Sequence, residues 1–167
     1  MIRAFSTGVF EAFGRKSRCA LGRNGVIEAA AKREGDLATP LAVMPLRGVL
    51  YRPDRLSPPS TALPLKPLAP DMGWCDAPDD PAYNQPVLHP YPASAERLWR
   101  EDQVYDVIVI LGWNDDPVTP GRGSAIFWHL ARPDFSGTEG CIAVSLEDML
   151  AALAEAKPGD SLQVLQT

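Results

Sequence analysis

Eleven of the 17 prolines fall between Pro53 and Pro92. A proline has a fixed φ and no amide hydrogen, so it cannot donate to a sheet ladder or continue a helix interior. A regular ladder is therefore not expected across this stretch, which reads as a long ordered loop or lid with a short helix over Ser94 to Arg100. Trp74, Tyr83 and Trp99 punctuate it. Large rings at that spacing predict a segment packed down on a sheet, with core packing the default and an aromatic stripe for sugar the alternative.

The flanking sequence is a succession of short apolar or alternating runs bounded by Gly, Pro, Asn or Asp. Ser17 to Leu21, Gly25 to Ala29, Leu41 to Tyr51, Val104 to Trp113, Ser124 to Leu130, Ile142 to Val144 and Ser161 to Leu165 all have this form, and each predicts a strand. Many short strands and few helices predict a mainly β chain, a sandwich or barrel. One helix is clear. Ser145 is an N-cap with Asp148 three residues on, Leu146, Met149, Leu150 and Leu153 share a face, and Lys157-Pro158-Gly159 ends it. At 167 residues and 46% hydrophobic, the chain reads as one domain over residues 1–167, with the proline-rich part, about 53–92, as an insertion.

A formal net charge of −5 argues against nucleic acid as a partner, because phosphate binding needs clustered Lys and Arg. The longest basic cluster, Arg15-Lys16-Ser17-Arg18, reads as a solvated turn. No stretch approaches transmembrane length, and Met1 to Phe13 shows no apolar run long enough for a secretory signal. Three cysteines, Cys19, Cys75 and Cys141, leave at least one thiol free, and unpaired buried Cys19 and Cys75 are preferred to a disulfide. Asp76, Asp79, Asp80, Asp115 and Asp116 sit in turn-like surroundings where carboxylates commonly stabilise the backbone, so no metal is assigned to them.

The chemistry concentrates in Thr138-Glu139-Gly140-Cys141-Ile142, with His129 upstream in the apolar run Ser124 to Leu130. A free thiol, with a pKa of roughly 8.5, is weakly ionised at neutral pH and needs a base or oriented dipoles to attack a carbonyl. The eleven residues between His129 and Cys141 suffice for a loop that returns the cysteine to the histidine. Gly140 permits a sharp turn that aims nearby amides at an oxyanion, and the helix after Cys141 offers a modest positive dipole.

Thr138-x-Gly140-Cys141-Ile142 after a histidine resembles the motif of the YkuD-type L,D-transpeptidase family. Lys32-Arg33-Glu34-Gly35-Asp36-Leu37-Ala38-Thr39-Pro40 is similar to that family's lead into a wall of the substrate cleft, and Tyr105 to Asn114 to its core strand. The likeness runs from about Leu21 to Val164. It implies Cys141 as nucleophile, His129 as base and Gly140 in the oxyanion turn, without a cofactor. It also implies Thr138, Glu139 and Asn114 near the substrate. Ala143 stands where many members carry Arg or Asn; Arg122 or Arg132 is the candidate substitute cation, with solvated surface charge the preferred reading of both. The implied substrate is a peptidoglycan stem tetrapeptide, the implied inhibitor class the carbapenems, and the implied place the periplasm or cell envelope; without export the chain would act in the cytoplasm.

Two alternatives remain open on the residues alone. Water in place of an acceptor amine would make the same site a carboxypeptidase or amidase. Cys75, His89, His129 and Cys141 have the residue types of a zinc site but lack any Cys-x-x-Cys or His-x3-His unit.

Overall fold

A computed structural model describes all 167 residues. Its strands are β1 (Ile2–Phe5), β2 (Val9–Ala12), β3 (Arg15–Arg18), β4 (Val26–Glu28), β5 (Thr39–Leu41), β6 (Val43–Tyr51), β7 (Leu65–Pro67), β8 (Met72–Cys75), β9 (Pro86–Leu88), β10 (Ala95–Arg97), β11 (Val107–Leu111), β12 (Phe127–Leu130) and β13 (Ile142–Val144), followed by helix α1 (Leu146–Glu155) and β14 (Ser161–Leu165). The main sheet runs β13-β12-β11-β6-β14-β1-β2-β3, with β7 also paired to β6. Beyond β3 the chain reaches Ala20, which exchanges backbone hydrogen bonds of 2.8 and 2.9 Å with Ala143 of β13. That bridge joins the sheet's two edges, so the chain is a nearly closed barrel, which removes the edge problem of an open sheet.

Strand parity then decides what each residue faces. Side chains alternate across a strand, so Val107, Val109, Leu111, Trp128, Leu130, Ile142 and Val144 enter the barrel core together with Met149 and Leu153 of α1. Their neighbours Ile108 and Phe127, and Cys141 just before β13, pack on the outer face against Trp74, Leu98 and Tyr105. All four residues of β12 are buried because both faces are covered. The outer cover is largely the proline-rich insertion, whose Trp74 meets Phe127 edge-on at 5.0 Å between ring centroids.

The insertion does form a ladder, the three-stranded sheet β10-β8-β9. Its prolines avoid conflict by position: Pro86 opens the edge strand β9, while the central β8 contains none. Ser94 to Arg100 is not a helix. Ala95, Glu96 and Arg97 pair with Cys75, Trp74 and Gly73, and so short a segment has too little helical cooperativity to resist that pairing. Arg15–Arg18 is a strand and not a turn, β3, with mostly exposed polar side chains. The helix is capped as expected, Ser145 Oγ accepting from the Asp148 amide at 3.1 Å, but Leu146 and Leu150 remain substantially exposed and Ala152 takes their place in the core.

Candidate active site

Cys141 sits where the parallel pair β12–β13 begins. Trp128 lies opposite Ile142 and His129 opposite Ala143, so the cysteine falls beside Phe127, one step before the first pair. His129 and Phe127 share a face, opposite to Trp128, because side chains alternate. This brings His129 and Cys141 into one cleft of about 420 Å³. Its other lining groups include Arg23, Glu34, Asp76, Glu96, Arg100, Tyr105, Arg132, Thr138 and Glu139.

The turn that carries the cysteine is braced by side-chain hydroxyls. Thr138 Oγ1 donates to the Cys141 carbonyl at 2.7 Å and accepts from the Gly140 amide at 3.1 Å. Thr39 Oγ1 donates to the same carbonyl at 3.4 Å and itself accepts from the Gly22 amide at 2.8 Å. Gly140 has φ +129°, and a Cβ there would lie 3.0 Å from the Ala38 carbonyl oxygen. Only glycine takes that backbone without strain. With the Gly140 amide committed to Thr138, the Cys141 amide has no backbone acceptor and is the donor free to meet an incoming oxygen.

At rest the thiol is a neutral donor. Cys141 Sγ donates to the Ala125 carbonyl at 3.2 Å and accepts from the Phe127 amide at 3.4 Å. Ala125 holds φ +52°, which turns its carbonyl toward the sulfur and delays the strand start from the expected Ser124 to Phe127. Burial pushes the thiol pKa up to about 12, and the nearby Glu96 charge pushes the same way, against the Phe127 amide. The expected dipole assistance from α1 is outweighed by this desolvation.

His129 is neutral too. Burial depresses its pKa to about 4, only partly opposed by its bond to the Leu130 carbonyl. That bond, 2.9 Å from Nδ1, fixes the tautomer: a carbonyl can only accept, so Nδ1 carries the proton and Nε2 keeps its lone pair. Tyr105 packs edge-on against the imidazole at 5.2 Å and 77°. The Tyr105 hydroxyl donates to Glu96, whose pKa is nevertheless raised by burial to about 7.

The other sequence candidates divide. Thr138, Glu139 and Arg132 line the cleft. Asn114 and Arg122 do not: Asn114 bonds the Thr119 and Gly123 carbonyls and the Thr119 amide, and Arg122 donates to the Ala29 carbonyl at 2.8 Å. Both hold the loop that leads to β12. All three cysteines are free and buried, and no group of three or more His, Cys, Asp or Glu side chains is gathered as a metal site would require. His89 instead meets the Glu96 carbonyl at 3.4 Å through Nε2. Glu96, Asp76, Arg100 and Tyr105 were missed by sequence reasoning. They reach the cleft through non-local pairing, and the one local cue, a polar residue in a three-residue alternation at Ala95–Arg97, was too short to read.

Compared with known proteins, residues 9–164 match the YkuD family model, described as the L,D-transpeptidase catalytic domain. No curated protein and no solved structure matches the chain.

Proposed function

Because the chain belongs to the YkuD family of L,D-transpeptidase catalytic domains, we propose that Cys141 carries acyl transfer on peptidoglycan stem peptides through a thioester, with His129 as its base. The observation that carries the reading is the free Nε2 of His129, set by the Leu130 carbonyl, in one cleft with the buried Cys141 thiol. A thiol with its pKa near 12 and an imidazole near 4 do not form a standing ion pair. The proton therefore moves during attack: Nε2 takes it as Sγ bonds to the substrate carbonyl, and the Cys141 amide receives the oxyanion. Collapse breaks the C–N bond, and the imidazolium returns the proton to the leaving amine of D-alanine. An acceptor amine then attacks the thioester and His129 repeats the exchange. The absence of a pre-formed thiolate makes the base indispensable, with a contribution on the order of 10²–10⁴ in rate.

The substrate follows from family membership: a stem tetrapeptide as donor, a second stem's amine as acceptor, and the cell envelope as the place of work. Thr138 acts by bracing the turn, while Glu139 and Arg132 are the motif-side groups available to the peptide. The test is incubation with a disaccharide tetrapeptide. D-alanine release with a cross-linked dimer is the expected result, carbapenem should add its mass at Cys141, and Cys141→Ser should abolish both while Cys19→Ser and Cys75→Ser retain them. Turnover in the Cys141→Ser protein overturns the assignment.

A further inference from the structure

Strands β8 and β10 bring two carboxylates to the cleft, Asp76 from the insertion and Glu96 just after it, and neither makes an ion pair, although the Arg100 charge acts on Glu96 from a distance. Glu96 lies on β10 opposite Trp74, and the Asp76 amide bonds the Ser94 carbonyl at 3.2 Å, extending the same ladder by one step. Glu96 and Asp76 are thus diagonal neighbours on one face, a relation that puts Cβ atoms roughly 7–8 Å apart and lets two carboxylates reach one small group. Both line the cleft with Cys141.

Their partners are what distinguish them. The cleft's arginines are already engaged: Arg100 makes a two-pronged pair with Asp102 at 2.8 and 2.6 Å, and Arg132 faces the same carboxylate at 3.8 Å. Arg23 faces Glu139 at 3.7 Å. Glu34 accepts from the Tyr83 and Ser124 hydroxyls. Glu96 accepts only from the uncharged Tyr105 hydroxyl, and the Oδ1 atom of Asp76 is buried with no partner within the protein. A buried carboxylate oxygen without a donor is costly, and such an atom lining a cleft points to a donor that arrives with the ligand.

We propose that Glu96 and Asp76 form a subsite for a primary ammonium group, that of the acceptor, and so tie the proline-rich insertion to the choice of acceptor. The inference rests on the acyl-transfer reading above. The amine of an acceptor is protonated in water and cannot attack in that form. Bound at the subsite, R–NH₃⁺ passes one proton to the Glu96 carboxylate, giving R–NH₂ and the neutral acid. The freed lone pair bonds to the thioester carbonyl carbon, His129 Nε2 takes the second proton, the C–S bond breaks, and the imidazolium returns that proton to the Cys141 thiolate. A side chain whose carboxyl is raised to about 7 by its surroundings holds such a proton readily at neutral pH.

Two alkylating probes of Cys141 test the subsite without any peptidoglycan. 2-Bromoethylamine carries an ammonium and iodoacetamide carries none. Relative to the rates with a small free thiol, the wild-type protein should favour the cationic reagent, and Glu96→Gln should lower the ratio of the two rates by about tenfold, the scale of a lost hydrogen bond to a charged group. Asp76→Asn should lower it in the same direction. If Glu96 acted only by steadying Tyr105 and His129, both reagents would slow together and the ratio would hold, which overturns the proposal. With the disaccharide tetrapeptide, Glu96→Gln should also shift product from dimer to hydrolysed tripeptide. A ratio that falls in a protein that releases no D-alanine keeps the cation subsite and removes the peptidoglycan reading. Release and dimer formation with an unchanged ratio and partition do the reverse.

Discussion

Acidification separates a neutral thiol–imidazole pair from a standing ion pair, because the two arrangements give opposite signs. The His129 pKa is lowered from 6.5 to about 4 in the folded protein. Between those values the unfolded chain binds a proton that the folded one does not, so stability contributed by neutral His129 is present above pH 6.5 and lost as pH falls through about 4. At about 1.4 kcal/mol per unit, the loss amounts to about 3 kcal/mol. Glu96 runs the other way. Its pKa is raised from 4.5 to about 7, so the folded protein holds the extra proton in that window and gains stability as pH falls. The side chain keeps some solvent contact, which makes its gain the smaller of the two.

The two contributions overlap between about pH 4.5 and about pH 6.5 and largely offset each other in the wild-type protein. Single variants should uncouple them. In urea unfolding followed from about pH 7 to about pH 4, wild type should lose about 3 kcal/mol relative to His129→Gln and gain about 2 kcal/mol relative to Glu96→Gln, with the other carboxylates cancelling in each difference. A Cys141 thiolate paired with a His129 imidazolium would place the folded histidine above 6.5 and invert the first difference. A flat or inverted His129→Gln difference therefore refutes the neutral pair and with it the concerted proton transfer.

Three other outcomes follow from the same contacts. Gly140→Ala should cost about 1–3 kcal/mol in thermal or urea unfolding and depress acylation more than binding, since φ +129° and the 3.0 Å approach to the Ala38 carbonyl oppose a Cβ; a stable variant of wild-type rate contradicts the turn's role. Thr138→Val removes the donor to the Cys141 carbonyl and the acceptor for the Gly140 amide, and should cost about 1–3 kcal/mol. Alkaline unfolding should steepen above about pH 9, with Cys19 and Cys141 each contributing about 1.4 kcal/mol per pH unit up to about pH 12, because burial raises both thiols from 9.0 to about 12; Cys75, Tyr83, Tyr91 and Tyr105 are raised in the same direction, so replacing Cys19 by Ala should lower the slope by about 1.4 kcal/mol per pH unit.

What the sequence revealed and what it hid divides along a physical line. The Thr138 to Ile142 turn and the helix cap at Ser145 are local: a φ that needs glycine, a hydroxyl three residues from an amide. Such features are written in adjacent residues, and they were legible. His129 was placed by its apolar run, although only parity with Trp128 tells that it faces the cleft and not the core. The insertion was misread because counting prolines ignores where they stand; Pro86 at the start of an edge strand costs no ladder bond. Glu96 and Asp76 were invisible for a different reason. Their chemistry arises from a β8–β10 pairing that no spacing rule encodes, and from arginines already claimed by Asp102 and Glu139.

The barrel seam holds Cys141, the proposed nucleophile, in place. Leu21 and Arg23 bond Thr138 through backbone contacts of 2.8 Å, Ala20 pairs with Ala143, and Thr39 reaches the Cys141 carbonyl. The cysteine is thereby anchored on both flanks by the segment from the end of β3 to the start of β5, more than a hundred residues earlier in sequence. Closing the sheet and placing the thiol are one event. A change that opens the seam, such as Ala20→Pro, which deletes the amide donated to Ala143, should therefore release Cys141 from the Ala125 carbonyl before the barrel unfolds. The expected signature is faster iodoacetamide labelling of Cys141 with near-native far-UV circular dichroism and impaired acyl transfer. Labelling that rises only in step with global unfolding would show that the seam and the site are independent.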